Sequence, residues 1–214
     1  MKSALIIGAG QFGTHIAKRM EELRCEVMVV DINEECINDI MDYVTNAQIG
    51  DGTNEEFLRT LGIDNFDVCF VTLGRHFQTS LETTSLLSEL GAKRVVSRAT
   101  NDVQMKFLLR NGADEVVYPE KQTALRIATK YASENILDYF HLENDIYLYE
   151  LKVPREWVGK KLSQIDVRRK YKINVLTIKR DSEVLIPSAD TVIEQNDIAF
   201  VLGESEDIQK SFRL

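Results

Sequence analysis

Three glycines near the start of the chain have a spacing that does chemistry. Gly8-Ala9-Gly10-Gln11-Phe12-Gly13 reads G-x-G-x-x-G. After a strand and before a helix, that spacing binds phosphate. The first glycine permits a tight turn, the second lets an anion approach backbone N–H groups, and the third lets helix pack closely on strand. The unpaired N–H groups and positive pole of the helix then hold the anion. Here the apolar run Leu5–Ile7 precedes the loop and an amphipathic stretch from Gln11 to Arg24 follows it. Asp31 closes Val29-Val30-Asp31, 23 residues after Gly8. An acid about 20 residues on accepts the ribose hydroxyls of a bound nucleotide. A carboxylate there repels a 2′-phosphate, so NAD, ADP or ATP is expected in preference to NADP. Asp51 and Thr53 follow a third apolar run, and Thr72, Leu73 and Gly74 end a fourth. All lie at carboxyl ends of expected strands, where the crevice of such a sheet takes its ligand.

Groups that make and break bonds are scarce. The histidines are His15, His76 and His141, and only His76, just after Gly74, falls near the expected crevice. A solvated histidine at a helix start is the plainer reading of it. Cys25, Cys36 and Cys69 are odd in number and far apart, which fits neither a disulfide framework nor a zinc site. They read as reduced core cysteines. No H-E-x-x-H, G-x-S-x-G or C-x-x-C occurs. The expectation is a nucleotide sensor without catalysis. An NAD-dependent oxidoreductase is the alternative, and a soluble metabolite sensor with another partner is a third reading.

The elements that must position these residues alternate regularly. Short apolar runs at Ala4–Ile7, Val27–Val30, Ala47–Ile49, Val68–Thr72, Arg94–Ser97 and Glu115–Tyr118 are separated by helical patterns at 11–24, 34–43, 54–61, 77–90 and 102–111. Strand then helix, repeated, predicts a Rossmann-like doubly wound parallel sheet, an α/β fold. Thr53-Asn54-Glu55-Glu56 reads as a capping box, and Gly62, Gly91 and Gly112 stand where helices should stop. After Pro119 a longer helix is expected over Gln122–Tyr139, as a crossover, an oligomer contact or plain packing on the sheet. From Asp145 the pattern changes to a small α+β unit. Its expected strands are Ile146–Val153, Ile173–Ile178, Glu183–Ile186 and Ile198–Leu202, with helices at Gly159–Tyr171 and Glu204–Phe212. Two domains follow from this, residues 1–140 and 141–214.

The chain of 214 residues carries a net charge of −8, against the basic surface that non-specific nucleic-acid binding needs. With 44% hydrophobic and 28% charged residues it is of ordinary globular composition. No run reaches the ~18 apolar residues of a membrane helix. A cytoplasmic protein is expected, with any membrane role acting through a partner. Arg168, Arg169, Lys170 and Lys172 are the densest basic cluster. They read either as cations at a helix end or as a second ligand site.

The order of motifs resembles the RCK or KTN family, built from TrkA-N and TrkA-C domains. Beyond the glycine loop and Val30-Asp31, the resemblance rests on Ile49-Gly50-Asp51-Gly52-Thr53, Leu61-Gly62-Ile63 and Val95-Val96-Ser97-Arg98-Ala99. It extends through Asn111-Gly112-Ala113-Asp114-Glu115-Val116-Val117, Tyr118-Pro119-Glu120, Val167-Arg168-Arg169-Lys170-Tyr171 and Val175-Leu176-Thr177-Ile178. It implies a cytosolic regulatory subunit of a Ktr or Trk potassium uptake system. Such subunits form a ring, an octamer of paired protomers, peripheral to the inner face of the membrane beneath a potassium-translocating subunit. ATP, ADP, NAD or NADH changes the ring's shape. The resemblance places Asp31 at ribose, Asp51 and Thr53 near adenine, and Arg98 near phosphate. Glu120 would act from a neighbouring subunit on the terminal phosphate or a Mg or Ca ion. It also implies cyclic di-AMP in the C-terminal domain, with Ile165, Arg168, Asn174 and Pro187 as the positions to watch. Gln11 departs from the arginine that many Ktr-type members carry there. A neutral donor bonds about half as strongly as a charged one, so weaker discrimination of ATP from ADP is implied and NAD(H) competes.

Overall fold

The computed structural model describes residues 1–74 and 76–212. The chain folds as two compact units, Met1–Glu120 and Lys121–Leu214.

The first unit alternates β1 (Ser3–Ile7), α1 (Gln11–Glu22), β2 (Glu26–Asp31), α2 (Glu34–Ile40), β3 (Asn46–Ile49), α3 (Glu55–Thr60), β4 (Val68–Val71), α4 (Phe77–Glu89), β5 (Val95–Arg98), α5 (Asp102–Arg110) and β6 (Glu115–Val117). Its six strands run parallel in the order β3-β2-β1-β4-β5-β6, so the strand order reverses beside β1. The apolar runs do not alternate with polar residues because both faces are covered. Successive side chains of β1 point to opposite faces. Leu5 and Ile7 pack with Val30, Leu58, Cys69, Val71 and Leu87, while Ile6 packs with Val27, Val29, Ile37, Ile40 and Ala17. The central strand β1 thus binds helices on two sides, and the strands end at one common edge, where the candidate residues gather.

Local punctuation fits the sequence closely. Asn33 Oδ1 accepts from the Glu35 N–H at 2.9 Å, capping α2. At α3 the cap is Asn54, not Thr53: its Oδ1 accepts from the Phe57 N–H at 3.0 Å, and the Thr53 hydroxyl bonds to Asp51 instead. The expected box is replaced by a simple Asn54 cap, because Asp51 takes the Thr53 hydroxyl and Phe57 at the third helical position has no side-chain acceptor to reciprocate.

The helix after β6 is shorter than expected. It is α6 (Pro119–Ala132), with Pro119 at its first position, where the missing N–H costs nothing. Residues expected to extend it instead form β7 (Ile136–Glu143), which pairs antiparallel with β8 (Ile146–Lys152). The Asp138 carboxylate is bound by Arg126 of α6. The second unit continues through α7 (Leu162–Ile165), α8 (Val167–Lys170), β9 (Asn174–Arg180), β10 (Glu183–Leu185), β11 (Ile198–Glu204) and α9 (Ser205–Phe212). Its sheet runs β10-β9-β11-β8-β7. The single helix expected over Gly159–Tyr171 is two short turns, divided where Asp166 takes φ 54°. The core face of β8 is Tyr149 and Leu151, both buried. Ile146 and Leu148, the apolar residues of the even positions, are only half-buried. Tyr149 stacks on Tyr139 with ring centroids 5.6 Å apart. Trp157 is buried against Tyr171 and Phe212.

Candidate functional site

The glycine loop links β1 to α1 with the geometry its spacing predicts. Gly8 takes φ 108°, a conformation costly for a residue with a side chain. A Cβ on Gly13 would stand 2.0 Å from the Gly8 carbonyl oxygen, so only glycine lets α1 begin this close to the strand. Gly10 caps the helix, and nothing lies within 4 Å of where its Cβ would be. That open side is the approach a phosphate needs.

Asp31 is built into the loop itself. Its Oδ2 accepts from the Ala9 N–H at 2.6 Å and its Oδ1 from the Asn33 N–H at 2.8 Å. The carboxylate therefore ties the end of β2 to the phosphate turn while keeping lone pairs for ribose hydroxyls. Thr72 is buried and serves the same turn: its hydroxyl donates to the Gly8 carbonyl at 2.6 Å and lies 3.1 Å from that of Ile7. It positions the loop and has little left to offer a ligand.

Gly8, Asp31, Asp51, Thr53 and Leu73 line one cavity of about 300 Å³ at the carboxyl edge of β1, β2, β3 and β4. Asp51 Oδ1 accepts from the Thr53 N–H at 2.9 Å and the Thr53 hydroxyl at 2.8 Å. Those two bonds hold its carboxyl below the usual carboxylate range. The other oxygen has no partner among the described residues and can accept from an exocyclic amino group. Ile7, Val30, Ile32 and Leu73 give the cavity apolar walls, and Ile32 is 70% exposed. A flat base with an amino edge and a ribose diol fits this set of walls and acceptors.

A second polar group lies past β5. Arg98 binds the Glu120 carboxylate, and its guanidinium stands over the Phe12 ring, 5.3 Å from the centroid. Burial acts to raise the Glu120 carboxyl, but its own backbone N–H and Arg98 prevail and hold it low. Arg98 Nε is buried and has no hydrogen-bond partner among the described residues. A Cβ on Gly74 would stand 3.3 Å from that nitrogen. A buried donor left unpaired is costly. Gln11, the first residue of α1, is exposed. Among the described residues no three His, Cys, Asp or Glu side chains group to hold a metal ion. Glu120 would thus be a single carboxylate ligand, and a Mg or Ca ion there would need phosphate oxygens to complete its shell.

In the second unit, Arg168 and Pro187 line a cavity of about 330 Å³ with Ser163, Asp166, Val175 and Ser188. The structure does not bring the other two positions to it. Ile165 is buried in the core, and Asn174 lines a separate cavity with Lys172 and Asp207. Sequence reading missed Ile32 and Thr79 at the first cavity and left His76 as a solvated residue, though it too lines that cavity. Their only signal was position: each lies in or just past the loop that follows β2 or β4.

Residues 4–119 match the TrkA-N domain and residues 146–214 the TrkA-C domain. The chain is 40% identical over 210 residues to the Ktr system potassium uptake protein C of Bacillus subtilis, covering 98% of this chain and 95% of that protein. It is 35% identical over 210 residues to the Ktr system potassium uptake protein A of the same organism, with the same two coverages. Among solved structures, the GsuK channel bound to NAD is similar with a TM-score of 0.65 at 15% identity. That match covers 96% of this chain and 38% of the channel, a likeness of fold across well under half of the larger protein.

Proposed function

The chain belongs to the family of proteins built from TrkA-N and TrkA-C domains, the RCK family, and from that premise we propose that it is a nucleotide-sensing regulatory subunit of a potassium uptake system. The observation that carries this reading is the paired acceptor set of Asp31 and Asp51 in one cavity, beside a loop open to phosphate. ATP, ADP, NAD or NADH is the ligand. The nucleotide's phosphates meet the N–H groups of the Gly8–Gly13 loop and Arg98, its ribose meets Asp31, and its base lies by Asp51 and Thr53. The partner is a membrane-embedded potassium-translocating subunit, held against a ring of copies of this chain on the cytoplasmic side. No helix of the described residues is long and apolar enough to cross a membrane.

Ligand identity reaches the ring through differential affinity, since a ligand moves an equilibrium only as far as it prefers one shape. Arg98 binds Glu120 when no phosphate competes for it, and Glu120 stands in the first turn of α6. A terminal phosphate, alone or with a Mg or Ca ion, draws Arg98 or Glu120 into a new contact and so acts on α6. Glu120 then serves a neighbouring subunit's phosphate in the ring. A coupling of about 1–3 kcal/mol suffices for such a switch. Cyclic di-AMP is the second ligand, its phosphate received by Arg168 at the cavity with Pro187.

The test is a competitive titration of the full chain with ATP, ADP, NAD, NADH and NADP, with and without magnesium, while its assembly is followed by light scattering. Binding of adenosine ligands, weak NADP and a ligand-dependent assembly without turnover are expected. Oxidation of NADH coupled to a small substrate would overturn the reading in favour of an oxidoreductase. Binding indifferent to assembly would favour a free-standing sensor.

A further inference from the structure

His76 lies at the start of α4, one of the walls of the first cavity, and neither the phosphate loop nor the acid pair accounts for it. It is the N-cap residue of α4, yet its side chain makes no capping hydrogen bond. The ring is exposed, and no hydrogen bond or ring contact from the described residues holds it. It lines the cavity together with Thr79, Leu73 and Ile32. In the sheet order β3-β2-β1-β4, the loops after β2 and β4 flank the end of β1. Ile32 and His76 therefore reach the cavity from opposite sides of β1. A flat ligand ring over the end of β1 is bounded by an aliphatic side chain on one side and an imidazole on the other.

We propose that His76 is a base-contacting specificity residue, whose imidazole stacks on the purine of the bound nucleotide opposite Ile32. This rests on the adenosine-nucleotide reading of the cavity and adds to it a residue that grips the base independently of phosphate and ribose. An aromatic plane on a base recognises the π-face and is indifferent to what hangs from the ribose. The contact therefore contributes equally to adenosine, ADP and NAD, and contributes nothing to ribose 5-phosphate.

The experiment titrates wild type, His76→Ala and His76→Phe, as full-length chains, with adenosine, ADP, NAD and ribose 5-phosphate by calorimetry. Ligand-free melting is measured alongside. His76→Ala is expected to weaken the three adenosine ligands by a common factor of about tenfold, the scale of a stacked base. His76→Phe is expected to restore them to within about twofold of wild type. Melting without ligand is expected to be unchanged, because the exposed ring gives up no packing or hydrogen bond of the free protein. Equal affinity of His76→Ala and wild type, failure of phenylalanine to restore, or a lowered ligand-free melting temperature would each overturn the inference and leave the cavity assignment standing. A wild type that binds none of the adenosine ligands would overturn both.

Discussion

Replacing Asp31 by alanine tests the cavity most directly, because one carboxylate serves both loop and ligand. In the free protein the substitution removes acceptors from the Ala9 and Asn33 N–H groups. The Ala9 bond is part-buried, so its orphaned donor costs about 1–3 kcal/mol of stability. In the complex the variant also loses the ribose diol. Two hydrogen bonds to a charged acceptor contribute about 1.5–3 kcal/mol each. The dissociation constant for NAD or ADP should rise by roughly 10²–10⁴-fold. Asp31→Asn separates the two effects. An amide oxygen can still accept from Ala9, but its NH₂ group cannot accept from Asn33. This variant should keep most of the stability and lose about tenfold in affinity. It should also lose the preference for NAD over NADP, since the charge that repels a 2′-phosphate is gone. Calorimetric titration with NAD, ADP and NADP, paired with urea unfolding, reads all three quantities. Affinity of Asp31→Ala within threefold of wild type, or equal binding of NADP and NAD by the wild type, would refute the reasoning.

Three further outcomes follow from particular contacts. Gly13→Ala drives a methyl into the Gly8 carbonyl, a backbone atom that cannot step aside. It should cost about 1–3 kcal/mol and abolish nucleotide binding, read by melting and titration. Thr72→Val leaves the buried Gly8 carbonyl without its hydroxyl. It should destabilise by about 1–3 kcal/mol, and Thr72→Ser should restore most of the loss in urea unfolding. In the second unit, Asp197 is fully buried and held by two bonds from Arg180, each 2.9 Å. Burial acts to raise its carboxyl, but Arg180 and the Glu194 N–H prevail, and the folded value is lowered. A lowered carboxylate contributes stability above its unfolded value, about 3.9. That stability is lost as pH falls through the folded value, in the range below about pH 4. Asp197→Ala should cost about 3 kcal/mol, the low end for a broken buried pair because Arg180 still reaches Glu194 and solvent. It should also flatten the acid limb of the stability curve, measured by chemical denaturation from pH 3 to 7.

The sequence by itself determined the first unit. Runs such as Val68-Cys69-Phe70-Val71, apolar without alternation, short and rich in β-branched and aromatic residues, read as strands covered on both faces, and the alternation with helices then points to a parallel sheet. Gly8, Gly13 and Asp31 were legible for the same reason: their roles are local, set by backbone conformation and by a fixed distance along one strand–helix–strand unit. What spacing cannot carry is competition between partners distant in sequence. Thr72 had the look of a ligand residue, yet its hydroxyl is taken by a carbonyl 64 positions away in the turn between β1 and α1. Residues 136–139 carry helical spacing, yet they form a strand because β8 offers a backbone ladder. Ile165 neighbours Arg168 in the chain but is parted from it by the left-handed turn at Asp166 and by burial in the core, while Asn174 and Val175, successive residues of β9, line different cavities, and only that of Val175 holds Arg168. His76 and Ile32 have no signature of their own, and only the strand order brings them to opposite sides of one cavity. Periodicity fixes which elements form; the choice of partner for each polar group is made in three dimensions, where the nearest unsatisfied donor or acceptor wins.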